Sequence, residues 1–428
     1  MLEPSPGTGR QFDAIVVGSG PGGATVAKEL SKQNKKVLLL ERGGNAPLKQ
    51  GLLSYAAIAD TVPVAEGVDT VRGITTGGTS ALYFGATFFP PLEPFRSLGI
   101  DLADAIQQVK DELPLAPLPD ELLGSQVIRV RDSAHALGYP WLKTEAMLID
   151  QSKCTAGVSH AAKWTARSYV AEAVAGGATL INGATVNKVL LDGKQAIGVE
   201  YRLRHKKQSE IRSAYASKIV LAAGSLASPL ILRDSGIGDV ANRGFYCDPG
   251  YLVLGFVKGL KGQDLFPGAM GVNAADDGLL LGDGCLPRSL YRGFALANRK
   301  FMRLFSHSSC IGVGVMMRDG RGGELRQDGR YLKQFTAKET GQLERGGVLA
   351  ERIIQHAGGR HIFRSGLSAA HVGGVVSIGE HVDAKLQTQI GNLHVCDGSV
   401  LPEHIRLPPT LMLICLGKYL AKHLSARL

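Results

Sequence analysis

Gly18, Gly20 and Gly23 stand in the spacing GxGxxG directly after the apolar run DAIVV, and Glu41 closes the next apolar run, VLLLE. Residues of these types at this spacing could hold the pyrophosphate and ribose of a dinucleotide. The first glycine allows a tight turn, the second lets the backbone approach a pyrophosphate, and the third lets helix and strand pack closely. Free amides and the positive end of the helix dipole then favour the phosphates. Glu41 can accept hydrogen bonds from ribose hydroxyls and would repel a 2′-phosphate. A glycine cluster alone is a weak signal. Here a strand precedes it, a helical pattern follows, and an acid ends the second strand, which makes it specific. The unit by itself leaves FAD and NAD both open.

Two further stretches carry similar chemistry. Gly77, Gly78, Thr79 and Ser80 offer successive bare amides and two hydroxyls, suited to a second phosphate- or ribityl-cradling turn. Lys218 to Ala223 reads as a buried strand that opens at Gly224, the pattern of another strand ending beside a bound nucleotide.

The elements that must position these residues follow from periodicity and punctuation. Residues 45–69 read as an irregular loop. Ser168 to Ala175 is helical in pattern, and Ala178 to Tyr201 reads as strands with a turn at Asp192-Gly193. Tyr251–Val257 and Cys310–Met317 are strand-like. A helix is expected from about Gly346 to Ala357 and another from Thr410 to about Leu424. The expected fold class is α/β: a Rossmann-like FAD- or NAD-binding domain with an intertwined α+β substrate domain on an antiparallel sheet. The nucleotide domain is assigned discontinuously to 1–90, 151–240 and 366–428. The covering segment and substrate domain take 91–150 and 241–365.

The 428 residues can bury a large core, and 55 glycines suit an enzyme rich in tight turns. The net charge of +10 is spread along the chain without a dense basic run interleaved with aromatics, which argues against nucleic acid. It suits an anionic substrate, an acidic partner or anionic lipid head groups. Six cysteines lie far apart with no CxxC, so neither a metal site nor a disulfide framework is expected. The first residues lack an apolar segment of signal-peptide length, and no stretch reaches membrane-span length. A cytoplasmic protein is expected, with no transmembrane segment and peripheral membrane contact left open.

The order of motifs resembles the glucose–methanol–choline (GMC) flavoprotein oxidoreductases. The matching stretches are FDAIVVGSGPGGATVAKEL, VLLLERGG, GGTSAL, KWTARSYVAEAVAGGATLINGATVNKVLLDGKQAIGVEY, IVLAAGSLASPLILRDSGIG and the block from His371 through Thr410. They cover nearly the whole chain, most weakly at 45–70 and 240–305. CTAGVSHAAKWTARSYV looks more like the long-chain-alcohol and gluconate branch, of which this would be a short member.

The resemblance implies FAD, with the flavin ring between the two domains. It places Val186 at the adenine, Asp397-Gly398 at the pyrophosphate and ribityl chain, and Pro409, Thr410 and Leu411 beside the pyrimidine end of the flavin. His371, in SAAHVGGVVSIG, matches the family's active-site histidine. An imidazole there could take the hydroxyl proton of an alcohol while hydride moves to flavin N5. One departure matters: where members carry an asparagine or histidine just before Pro409-Thr410, this chain has Pro408. His404 and Tyr83 are the candidates to replace that polar partner. No histidine occurs in GGTSAL, so FAD is expected to be non-covalent. The implied activity is oxidation of the CH–OH group of an alcohol or carbohydrate-like small molecule, with a quinone or partner protein as electron acceptor rather than oxygen. A flavin-dependent reductase of a ketone or activated double bond, and a flavin-binding protein without catalysis, stay open beside it.

Overall fold

In the computed structural model the described residues are 11–48, 51–154, 161–205, 208–237, 240, 243–274, 278–402 and 407–428. Two large sheets organise them. The first has seven strands. Five run parallel in the order Thr179–Asn182, Val37–Glu41, Phe12–Val17, Gln208–Leu221 and Leu393–Val395. Their apolar runs are covered on both faces, as continuous hydrophobic strands of a parallel sheet require. Ala14, Ile15 and Val16 are fully buried, and Ile15 lies beside Ile219 on one side and Leu38 on the other. The strand Gln208–Leu221 continues past the parallel core into an antiparallel meander with Gln195–His205 and Ala184–Asp192.

Helix Pro21–Ser31 crosses from the first strand to the second and packs against the C-terminal helix Thr410–Ser425. Contact is close because a Cβ on Gly417 would lie 2.7 Å from Thr25 Cβ. Beneath the two helices, Lys28 and Lys418 are almost fully buried, yet each ammonium lies 2.8 Å from a Glu112 oxygen. Burial would push the Glu112 carboxyl up, but hydrogen bonds from Lys28, Lys418 and Tyr169 outweigh it and hold the group at about 2. That acid, from helix Ala103–Glu112 in the covering segment, ties the segment to the first sheet.

The second sheet has nine strands: Ala59–Ala65, Val68–Gly73, Ser368–Ala369, Pro249–Phe256, Cys310–Met317, Leu279–Asp283, Met270–Ala274, Leu142–Lys143 and Arg360–Arg364. It is mixed rather than purely antiparallel as the sequence suggested, because Ser368–Ala369 pairs in parallel with Asp69–Thr70. Its strands at 59–73 and 368–369 fall within stretches assigned from the sequence to the nucleotide domain. The hairpin lies where a loop was expected: 45–69 contains helix Leu52–Ile58 and most of that hairpin. Pro63 hid the strand pattern, which it can occupy because Ala59–Ala65 is an edge strand.

Helix Ala337–His356 covers one face of the second sheet and starts nine residues before the position expected. Thr336 and Glu339 form a capping box at that start. The two glycines at the expected start are packing sites. A Cβ on Gly346 would come within 2.6 Å of Val315 Cγ1, and one on Gly347 within 2.2 Å of the Tyr251 hydroxyl.

Candidate functional site

The carboxyl ends of the five parallel strands all open on one edge of the first sheet, the place where doubly wound folds bind ligands. Gly18 follows the first strand with φ +98°, and a Cβ there would strike the Ala222 carbonyl at 2.3 Å. A Cβ on Gly23 would lie 2.0 Å from the Gly18 carbonyl oxygen, so strand and helix need glycine at both places. Gly20 differs: a Cβ there would meet nothing within 4 Å, and Gly224 at the end of its own strand is equally open. Helix Pro21–Ser31 has no side-chain cap and no acid in its first turn, which leaves its positive end available to an anion. The cradle therefore has glycines pressed against backbone at Gly18 and Gly23 and facing open space at Gly20 and Gly224.

Glu41 sits at the mouth of that cradle, 6% exposed. One carboxylate oxygen accepts from the Ser19 amide at 3.1 Å and the Ser19 hydroxyl at 2.6 Å. The other accepts from the Gly43 amide at 2.6 Å. These bonds fix the carboxylate in place and leave lone pairs for a ribose. Val186 lies buried in the meander strand Ala184–Asp192, which packs beside the strand ending in Glu41.

The glycine turn at 77–80 comes from a distant part of the chain and docks on this cradle. The Gly77 amide donates to the Ser19 hydroxyl at 3.0 Å, and a Cβ on Gly78 would lie 3.1 Å from Gly20 Cα. Ser80 donates to the Gly77 carbonyl at 2.5 Å and accepts from the Ala166 amide at 2.9 Å. Thr79 accepts from the Gly73 amide at 3.1 Å. Arg167 holds the Thr76 carbonyl at 2.9 Å, and Asn182 donates to the Thr76 hydroxyl at 2.8 Å. Farther along the same segment, Thr87 accepts from the Leu411 amide at 3.1 Å, in the first turn of the C-terminal helix after Pro409 and Thr410. The segment 77–87 thus runs from the glycine cradle to that helix start. Lys163 is buried beside it, donating to the carbonyls of Ala81 at 2.9 Å and Tyr83 at 2.6 Å, and burial lowers its ammonium to about 7.

Asp397 ends the fifth parallel strand, where its buried carboxylate joins three pieces of backbone. It accepts from the Gly224 amide at 3.0 Å, the Ser228 hydroxyl at 2.5 Å and the Ser399 amide at 2.9 Å. Burial raises its pKa, against the pull of the Ser228 and Ser399 hydrogen bonds. The loop carrying His371 rests on this turn. A Cβ on Gly373 would lie 2.5 Å from the Gly398 carbonyl oxygen, one on Gly398 would lie 3.4 Å from that of Val372, and the Val376 amide donates to Ser399 at 3.0 Å.

His371 Nδ1 lies 3.6 Å from Asp248 Oδ2, with the imidazole 18% exposed and the carboxylate 1%. The pair is held from both sides. The Ala370 amide donates to the carbonyls of Cys247 and Asp248 at 3.2 and 3.3 Å. Behind, Asp319 accepts from the amides of Cys247 at 3.1 Å and Asp248 at 2.9 Å, and buried Lys333 stands 3.3 Å from Asp319. Asp248 itself has φ +44°, a left-handed conformation that Asp and Asn tolerate better than most residues.

Sequence reasoning placed Gly18, Gly20, Gly23, Glu41, Gly77 to Ser80, Gly224, Asp397 and Gly398 on one edge, and the structure brings them there together. It did not find Asp248, Ser19, Arg167 or Asn182. The SG between the first glycines and the motif TARS were the only cues to two of these. His404 lies outside the described residues. Tyr83 donates its hydroxyl to the Trp164 carbonyl at 2.9 Å, and burial raises its pKa well above normal, which marks it as a structural tie.

The chain matches the GMC oxidoreductase family over residues 69–273 and the pyridine nucleotide-disulphide oxidoreductase family over residues 12–112. An uncharacterized GMC-type oxidoreductase of Mycobacterium tuberculosis is 28% identical over 337 residues, covering 73% of this chain and 50% of the relative. The chain thus spans about half the length of the mycobacterial relatives it matches. An oxygen-dependent choline dehydrogenase of Acinetobacter baumannii is 43% identical over 60 residues, 14% of this chain and 11% of that protein. The fold is shared with pyridoxine 4-oxidase from Mesorbium loti at a TM-score of 0.71 and 16% identity, covering 97% of this chain and 99% of the other. With its consecutive motifs laid along one such fold, the chain is similar to the GMC oxidoreductases, whose family model matches residues 69–273.

Proposed function

We propose that the protein is an FAD-dependent dehydrogenase that oxidises the CH–OH group of a small alcohol or carbohydrate-like molecule, with His371 as the base. One observation carries the reading: the His371 loop rests on the Asp397–Ser399 turn, at the edge where the glycine cradle opens. The open faces of Gly20 and Gly224 and the fixed carboxylate of Glu41 fit a dinucleotide there.

Gly18, Gly20, Gly23 and Glu41 would hold the ADP half, with the Val186 backbone at the adenine. Gly77, Gly78, Thr79, Ser80, Gly224, Asp397 and Gly398 would line the pyrophosphate and ribityl chain. Pro409, Thr410 and Leu411 would present the positive end of the C-terminal helix to the pyrimidine side of the ring. GGTSAL offers no histidine to attach the cofactor, so binding is non-covalent. Bound FAD would supply a two-electron acceptor for the hydride leaving the carbinol carbon.

His371 would take the hydroxyl proton through the ring nitrogen remote from Asp248. Asp248, 3.6 Å from Nδ1, would face the imidazole from the side away from the substrate. The Pro408 side chain offers no donor or acceptor, so a second polar contact to the substrate oxygen would fall to another residue, with His404 the sequence candidate. The nucleotide domain would comprise 1–90, 151–240 and 366–428 with the strands at 59–73 and 368–369 lent to the other sheet, and substrate would be met by the second domain.

The test is anaerobic. Purified holoprotein carries the visible flavin band, and an alcohol from a broad panel bleaches it. A His371→Asn variant retains flavin but bleaches about 10²–10⁴-fold more slowly. Bleaching of that variant at the wild-type rate would remove His371 from the chemistry, and a protein unable to take up FAD would end the reading altogether.

A further inference from the structure

Helix Leu52–Ile58 is apolar along its length, LLSYAAI, yet none of its residues is buried. It lies against helix Arg288–Ala297, since a Cβ on Gly293 would come within 2.8 Å of Leu52 Cδ1. The chain then continues through the short turn Phe301–Arg303 to Phe305. Along this face Leu53 is 85% exposed, Phe301 60%, Met302 94% and Phe305 85%, with Leu52 and Leu296 also exposed. More than half of the molecule's exposed large apolar side chains, among the described residues, are gathered here. Such gathering marks a contact surface.

The charges on the same face have one sign. Arg288, Arg292 and Arg299 are exposed and Lys300 and Arg303 half-buried, while the sequence from Gly284 to Arg318 contains no Asp or Glu. Among the described residues none of the five cations is ion-paired with a carboxylate. Asp264 accepts from the Arg288 amide at 2.6 Å and lies 3.8 Å from His307. Three of the cations lie over aromatic rings instead: Arg292 at 5.5 Å over Phe305, Lys300 at 4.8 Å over Phe363 and Arg303 at 4.7 Å over Phe256. Protruding apolar tips ringed by cations match the depth profile of a lipid surface, with acyl chains below and anionic phosphates at the level of the charges. A second copy docking through this face would set its cations against the same cations.

We propose that this face, built from residues 52–58 and 288–305, docks the protein on an anionic membrane surface. Phe301, Met302 and Phe305 enter the acyl boundary, and the arginines meet lipid phosphates. The surface lies outside the cradle and the His371 loop, so it stands or falls apart from the proposed reaction.

Vesicle co-sedimentation of the purified holoprotein tests it. Wild type pellets with phosphatidylcholine vesicles containing about one third phosphatidylglycerol and stays soluble with phosphatidylcholine alone, the difference shrinking as salt rises. Phe301→Ser, Met302→Ser and Phe305→Ser together lower partitioning at least about tenfold. Arg288→Gln, Arg292→Gln and Arg299→Gln together lower it by about two orders of magnitude. Both variants keep the wild-type melting temperature and flavin content, since every changed side chain is exposed. Failure of wild type to bind anionic vesicles overturns the proposal, as does binding untouched by both variants. A dimer in light scattering that the serine variant dissolves would give the face to a second copy. Retention on immobilised polyglutamate without vesicle binding would give it to an acidic protein.

Discussion

Replacing Asp283 by Asn should make the protein more stable, and the gain should grow with pH. Asp283 ends a strand of the second sheet and is buried, one oxygen accepting from the Met270 amide at 2.9 Å and the other without a partner among the described residues. Burial raises the carboxyl from 3.8 to about 7, against the weaker pull of backbone amides, that of Met270 first. Below about pH 4 the group is protonated in both folded and unfolded chains and has no effect. Between about 4 and 7 the unfolded chain releases the proton and the folded one keeps it, so stability falls as pH rises. Above pH 7 the loss levels off at about 4 kcal/mol, from about 1.4 kcal/mol per tenfold in proton affinity. Asn has no proton to lose, and its amide nitrogen replaces the unpartnered oxygen. Unfolding by urea, with FAD at one fixed excess, is compared at pH 5 and pH 8 for both proteins. The advantage of the variant should be about 2–3 kcal/mol larger at pH 8. An advantage identical at the two pH values would refute the idea that Asp283 is held protonated by burial.

Two further outcomes follow from the site. Asp248→Asn keeps a residue that accepts the left-handed backbone but removes the charge 3.6 Å from His371. Flavin content and KM should stay near wild type while kcat falls about 10–100-fold, equivalent to about 1.4–2.8 kcal/mol; an unchanged kcat would show that Asp248 is only structural. Gly23→Ala drives a Cβ to 2.0 Å from the Gly18 carbonyl oxygen, so the purified variant should be poorly folded or colourless. A variant with full flavin content would disprove the packing argument for that glycine.

Legibility tracks chain locality. The phosphate cradle was readable because its parts are contiguous: a buried strand, three glycines, a helix and an acid, each demanded by steric or hydrogen-bonding rules that act over a few residues. The helix Ala337–His356 was read only from Gly346 because Gly346 and Gly347 look like breakers until the sheet residues they press against are seen. The hairpin at 59–73 was missed because proline on an edge strand leaves no alternating pattern to count.

Residue types and spacing determined the α/β class and the glycine cradle with its closing acid, while family resemblance singled out the histidine. Only the folded chain decided what stands behind that histidine, because Asp248, Asp319 and Lys333 are carried by separate segments that the tertiary fold draws together. It also decided which glycines face open space and which face backbone, and that two stretches of ordinary appearance, 52–58 and 288–305, form one apolar and cationic face. Such facts depend on contacts between residues far apart in the chain, which no local propensity encodes.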